Sequence, residues 1–410
     1  MRPILLASAA LAGVAQLLFA PDALLTGYAV LPADTFAGGP PGGVFRNAGA
    51  RDAAGAFPAQ PVQGISSIWP ADDGTEPDGG WYWALTDNGY GTKINSPDYL
   101  LRIYRVRPRF ETRSVEVAPE FVQLRDPDRR APFHIVHENT SDRALTGADF
   151  DPESFVLMPD GTFWIGDEFG PFLLHVAADG RLLDPPFAAE GVRSPDHPLL
   201  PPPDAGEASE ATVARSRGFE GLAYHAPRKT LIALLEAGLV SDQGKISRAL
   251  EFDPAARSFT GRGWQVPLEA PDHALTELVA VSPVADGRPD YIVRFMAIER
   301  DSGHGPEARF KKIFYLDLTN QPQVGGGRHS IVQKHGRGPS PSALIDLLSI
   351  VDPNRLATGD GRFSFPFITP EALWPLGMEV LIVNDNNYPA TGGRTPEQRD
   401  NTEFVRLRPQ

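Results

Sequence analysis

Residues 147–171 read GADFDPESFVLMPDGTFWIGDEFGP. Phe155, Val156, Leu157 and Met158 make an apolar run, Pro159-Asp160-Gly161 is a turn signature, and Thr162-Phe163-Trp164-Ile165 return. The stretch is therefore predicted to be one β-hairpin. Glu153 lies seven residues before Asp160, and Glu168 lies seven after Gly161. At about 3.3 Å per residue in an antiparallel pair, equal offsets carry two residues to the same end of the hairpin. Two carboxylates are expected to meet at one sheet edge.

The construction recurs. In 218–238, GFEGLAYHAPRKTLIALLEAG, Glu220 and Glu236 flank the turn Pro227-Arg228-Lys229 at the same offsets. A looser copy opens at Glu277, runs through 278–281, turns at Asp286-Gly287-Arg288-Pro289 and returns to Glu299. Near the C-terminus Glu371 precedes a turn at 375–377, and 380–383 lead into Asn384-Asp385-Asn386-Asn387-Tyr388-Pro389. Near the N-terminus 64–69 and 81–85 lead into Thr86-Asp87-Asn88-Gly89. Each hairpin is trailed by one or two further strands, which is the layout of an all-β chain, a β-propeller with four-stranded blades. The ring is expected to be six-bladed, one blade carrying no legible signature, with a strand at 24–36 completing the last blade and removing a free edge. A β-sandwich is the rival, but it gives no reason for the acids to keep one corner.

Composition bounds the rest. The 410 residues include 40 Gly and 41 Pro, which suits many short strands joined by turns. A formal net charge of −14 argues against a nucleic-acid partner, which calls for a basic stripe. With no cysteine there is no disulfide, thiol chemistry or zinc–thiolate site. MRPILLASAALAGVAQLLFA, with one Arg ahead of an apolar run, reads as a signal peptide over 1–23, an uncleaved anchor being the alternative. The remainder, 24–410, is expected to be one domain, periplasmic or secreted, monomeric and with no stable membrane span after processing.

Hairpin ends of equal offset converge at one mouth of a propeller's channel. Glu153, Glu168, Glu220, Glu236, Glu277, Glu299, Asp385 and Asp87 would crowd there, and like charges so close need either shared protons or a cation. Oxygen ligands without cysteine favour Ca²⁺ or Mg²⁺, with Asn384 and Asn386 adding neutral oxygens. Taken singly, each acid is as readily explained by a strand-end amide or a nearby arginine. No G-x-S-x-G elbow, H-E-x-x-H motif, P-loop or dinucleotide fingerprint is present.

GADFDPESFVLMPDGTFWIGDEFGP, GFEGLAYHAPRKTLIALLE and VLIVNDNNYP resemble the phytase-like domain family, also known for the esterase-like activity of phytase, across nearly all of the exported body. The resemblance implies a β-propeller and hydrolysis of phosphate or carboxylic esters. The leading expectation is a calcium-dependent hydrolase of a small phosphate ester, with Glu236 or Glu168 as general base and Arg217, Arg300 and His304 offsetting substrate charge. The alternatives are a non-catalytic binding or scaffold propeller with a structural ion, and a lactonase-like carboxyl-ester hydrolase.

Overall fold

Alternate residues of one strand enter different cores. Phe155 packs with Leu85, Ile103 and Ile165, whereas its neighbour Val156 packs with Phe219, Leu222 and Leu231. Ile232 and Leu234 likewise face Leu278 and Phe295, while Leu231, Ala233 and Leu235 face Val156 and Trp164. Successive side chains on a strand point to opposite faces, so a run that is apolar throughout needs a partner sheet on both sides. A ring of sheets supplies it.

The computed structural model describes residues 23–71, 80–200, 210–281, 294–318, 329–336, 343–390, 393–395 and 397–410. It is all-β, and the only helical segments among these residues are short 3-10 turns. Sheet I runs Ile65–Pro70, Tyr82–Thr86, Arg102–Arg109, Ser114–Gln123, and sheet II runs Pro152–Leu157, Phe163–Asp167, Phe172–Val176, Phe187–Ala188. Sheet III runs Phe219–His225, Thr230–Leu235, Ile246–Asp253, Ser258–Pro267, edged by His329–Ile331. Sheet IV runs Ala274–Val281, Arg294–Arg300, Lys311–Asp317, Gln333–His335. Sheet V runs Pro370–Leu376, Glu379–Asn384, Thr402–Pro409, and its outermost strand is Ala23–Leu31 from the other end of the chain. A single parallel bridge, Val30 to Ser114, joins sheets V and I.

The first strands of the sheets touch in cyclic order, I on II, II on III, III on IV, IV on V, and V on I. A buried apolar cluster fills each of the five interfaces. The expected closure by an N-terminal strand is present, with Ala23–Leu31 antiparallel to Thr402–Pro409 from Ala23 opposite Pro409 to Leu31 opposite Thr402. Its buried and half-buried residues alternate without a break, as one strand face on a core demands.

A sixth inner unit is not found among the described residues. Among the described residues the ring closes through five first strands, and the long connection between sheets IV and V holds only two-residue strands, Ile345–Asp346, Ile350–Val351 and Arg362–Phe363. These edge the existing sheets instead of founding another. Residues 1–22 of the expected leader and the turn at 286–289 lie outside the described residues. Among those that are described, no helix is long and apolar enough to cross a membrane.

Candidate metal centre on the ring axis

Every first strand carries a β-bulge at the same height. The register against the second strand shifts between Ile65 and Ser67, Pro152 and Ser154, Phe219 and Gly221, Thr276 and Leu278, and Pro370 and Ala372. The extra residues are thus Ser66, Glu153, Glu220, Glu277 and Glu371. A bulged residue leaves the pleat and its side chain is re-aimed, so the irregularity repeated around a ring brings Glu153, Glu220 and Glu371 to one place, while Glu277 is directed elsewhere.

The second strands end in register with this. The amides of Asp87, Glu168, Glu236 and Asp385 donate to the carbonyls of Gly64, Asp151, Gly218 and Thr369 at 2.9–3.0 Å. The close approach leaves no room beside Gly218, where an added Cβ would sit 2.4 Å from Glu168 Cα. That backbone contact lets the Gly218 amide donate to Glu168 Oε1 at 2.9 Å.

Three overlapping triads result: Asp151, Glu153 and Glu168; Glu153, Glu220 and Glu371; Glu168, Glu220 and Glu236. Within each triad one oxygen per residue lies within 4.8 Å of the others. All six acids are buried, as is Asp385, while Asp87 is half-buried. Glu371 Oε2 is buried without a hydrogen-bond partner.

Two arginines oppose these eight carboxylates. Arg300 Nη2 donates to Glu236 Oε1 at 2.5 Å, and Arg217 Nη1 to Glu236 Oε2. Arg300 is 6% and Arg217 29% exposed along the side chain. Burial first, then Asp151, Glu220 and Glu371, holds Glu153 well above the usual carboxylate range. Burial followed by Glu236 does the same for Glu220 and Glu168. For Glu371 and Asp87 the second cause is Asp385. Burial also pushes Asp151 and Asp385 up to about 6 each, Asp151 despite bonds from Glu153 and Asn88. Protons are therefore shared within the cluster, or a cation must replace them.

Several residues expected at the mouth are engaged elsewhere. Glu299 Oε1 accepts from the Glu269 amide at 2.6 Å and lies 2.9 Å from His273 Nδ1, and its other oxygen is paired with Lys334. The sheet IV ladder continues to Ala274 opposite Arg300, so Arg300 instead of Glu299 reaches the cluster. Glu277 alone among the bulged residues has a left-handed φ, +49°, and it accepts from Ser67 Oγ at 2.8 Å and from the Leu278 amide at 3.1 Å. Asn384 Oδ1 accepts from the Glu403 amide, and Asn386 Oδ1 from the Gly64 amide; both Nδ2 groups donate to the loop around Asp400 and Asn401. These two asparagines fix the closing of the ring. His304 heads the 3-10 turn Gly305–Glu307, and among the described residues no hydrogen bond joins its ring to an acid of the cluster. Glu153, Glu168, Glu220, Glu236, Asp87 and Asp385 are brought together.

Asp151 and Glu371 are the members not chosen from the sequence. Asp151 is held by Asn88, whose amide and Nδ2 donate at 3.1 and 2.7 Å. Glu371 occupies the position in its hairpin that Glu153 and Glu220 occupy in theirs, which was the available signal.

The set is carboxylate oxygen throughout, without sulfur or imidazole, and Glu371 Oε2 lacks a partner; both features fit a hard divalent cation such as Ca²⁺ or Mg²⁺.

The sequence profile of a family of phytase-like proteins, described as esterase-like activity of phytase, matches residues 60–388. An uncharacterized secreted protein of Arthroderma benhamiae is 27% identical over 198 residues, which cover 40% of this chain and 37% of that protein. The match thus spans well under half of that relative's length. Among solved structures, the PQQ-bound aldose sugar dehydrogenase of Streptomyces coelicolor is 13% identical with a TM-score of 0.34, covering 95% of this chain and 100% of that one. The endo-1,5-alpha-L-arabinanase of Thermotoga petrophila is 9% identical with a TM-score of 0.36, covering 84% and 71%. Likenesses at this level carry no weight for chemistry.

Proposed function

Because the chain belongs to the phytase-like family, described by the esterase-like activity of phytase, we propose that it is an exported, cation-dependent hydrolase of a small phosphate ester. The observation that carries this reading is the convergence of eight acids from four sheets on a place where, among the described residues, two arginines offset them. A bound Ca²⁺ would polarise an ester oxygen and lower the pKa of a water. Asp151, Glu153, Glu220 and Glu371 would hold it, with Asp87 and Asp385 beside them.

Glu168 serves as general base. Its Oε1 is fixed by the Gly218 amide, and burial beside Glu236 and Asp151 raises its proton affinity, as a base working near neutral pH requires. Glu236 is less suited to that role, since both its oxygens are taken by guanidinium groups; it anchors Arg217 and Arg300. Arg217, the more exposed of the two, faces the negative charge of an arriving phosphoryl group, while the buried Arg300 holds Glu236 in place. Export is supported by the apolar leader and by the secreted relative.

The test is turnover of aryl phosphomonoester, aryl phosphodiester and aryl carboxyl-ester substrates by the purified protein, with EGTA and then with calcium restored. Phosphomonoester turnover lost in EGTA and regained with calcium is expected. Equal rates in chelator would remove the cation from the mechanism, and hydrolysis of the carboxyl ester alone would replace the substrate class.

A further inference from the structure

The axis has a second end. From the bulges the first strands run away from the acids, and Trp69 and Trp374 lie three residues beyond Ser66 and Glu371. At about 3.3 Å per residue they stand on the order of 10 Å farther along the ring. There a cavity of about 100 Å³ is lined by Trp69, Trp374, Phe155 and Tyr224, with Ser67 and Glu277 among its polar members. The rings belong together: Trp69 and Trp374 have centroids 4.8 Å apart at 59°, and Trp69 and Phe155 6.5 Å apart at 52°. The two tryptophans and Tyr224 are half-buried, so the box opens outward, while Glu277 is 4% exposed.

Among the described residues Glu277 is the one carboxylate of the lining, and its backbone differs from that of the other bulged residues. A non-glycine residue at φ +49° is in a rarely adopted, unfavourable backbone conformation, and it turns this side chain away from the acid cluster toward Ser67. Aromatic faces present negative quadrupole charge and attract cations, most strongly when water is excluded. Aromatic walls with a buried carboxyl group suit a ligand that is cationic and apolar at once.

We propose that this second mouth binds a small organic ammonium group, such as a trimethylammonium head. The site is separate from the acidic cluster and does not depend on the hydrolase reading. The charge sits among the aromatic rings, the methyl groups fill the cavity, and the Glu277 carboxyl lies beside it; burial raises that carboxyl's proton affinity, and an arriving cation favours its ionised form.

The test uses choline and its neutral isostere 3,3-dimethylbutan-1-ol, titrated into the full-length mature protein at saturating calcium, with tryptophan fluorescence and calorimetry as readouts. Saturable quenching by choline, with at least tenfold weaker binding of the neutral isostere, is expected. Trp374→Phe, a mild substitution, should weaken choline about threefold or more, and Glu277→Gln about tenfold, with melting temperatures confirming that both variants fold. Equal binding of the two ligands would show a merely apolar pocket and overturn the proposal. So would choline binding that survives both substitutions but is lost in Glu220→Gln, which would put the ammonium in the acidic cluster. Absence of saturable binding to a folded protein would also overturn it.

Discussion

Glu220 belongs to two of the three triads, with Glu153 and Glu371 on one side and Glu168 and Glu236 on the other, so Glu220→Gln is the most informative single change. Two ionised carboxylates 4.8 Å apart repel by about 3.5 kcal/mol at an effective dielectric constant of about 20. The raised proton affinity of the neighbours means that they are only partly ionised at neutral pH, so the realised relief should be about 1–3 kcal/mol. Without calcium the variant should therefore be more stable than the native protein at pH 7.5, by a few degrees in Tm for a chain of this length. With calcium the variant's advantage should shrink or vanish. At a concentration near 100 times the Kd, ion binding stabilises the native protein by about 2.7 kcal/mol. A ten- to hundredfold weaker site in the variant would leave about 0.4–1.4 kcal/mol at the same concentration. Melting of both proteins in EGTA and in calcium, at one scan rate, measures all four quantities. A variant that melts lower than the native protein in EGTA, while keeping the full calcium gain, would show that Glu220 bonds to the fold and not to an ion.

The pH dependence follows from the same cluster. Burial raises Asp151 and Asp385 to about 6 and Asp167 to about 7, so the unfolded chain loses these protons first. Stability of the calcium-free protein should therefore fall as pH rises from about 4 to about 7 and then level off, and the calcium gain should grow over the same window; Tm at half-unit intervals with and without chelator checks both. Arg300→Met leaves Glu236 buried with one fewer partner and should destabilise by about 3–5 kcal/mol in urea titrations, whereas Arg217→Met, at a 29% exposed side chain, should change stability by no more than about 1 kcal/mol yet raise KM for a phosphomonoester. Gly218→Ala forces a Cβ to 2.4 Å from Glu168 Cα and should lower stability by about 1–3 kcal/mol while reducing the calcium-induced Tm shift.

The hairpins and their shared acidic corner were legible because turn chemistry and strand period are local. The strands ending at Leu157, Leu235 and Asn384 are bounded by Pro, Gly and charged residues that announce them. Side-chain direction was not legible, because one bulge decides it. Glu277 and Glu220 are each the bulged residue of their first strand, yet a left-handed φ at Glu277 sends its carboxylate the other way. Glu299 and Arg300 are neighbours, and whichever faces the axis depends on how far the sheet IV ladder runs. The sixth unit was expected as a blade without a legible signature, and the described residues between Asp317 and Pro370 form short edge strands. Ser66 shows the converse: its hairpin contributes a hydroxyl where the others contribute an acid, so a search for acids understates its place in the ring.

The pairing of Ala23–Leu31 with Thr402–Pro409 couples residues about 380 positions apart, so the earliest strand to be made must wait for the last. Until both meet, sheet V lacks its outer strand and the apolar surface shared by sheets V and I stays unfinished. A nascent chain is thus kept from locking into its final shape by its own connectivity.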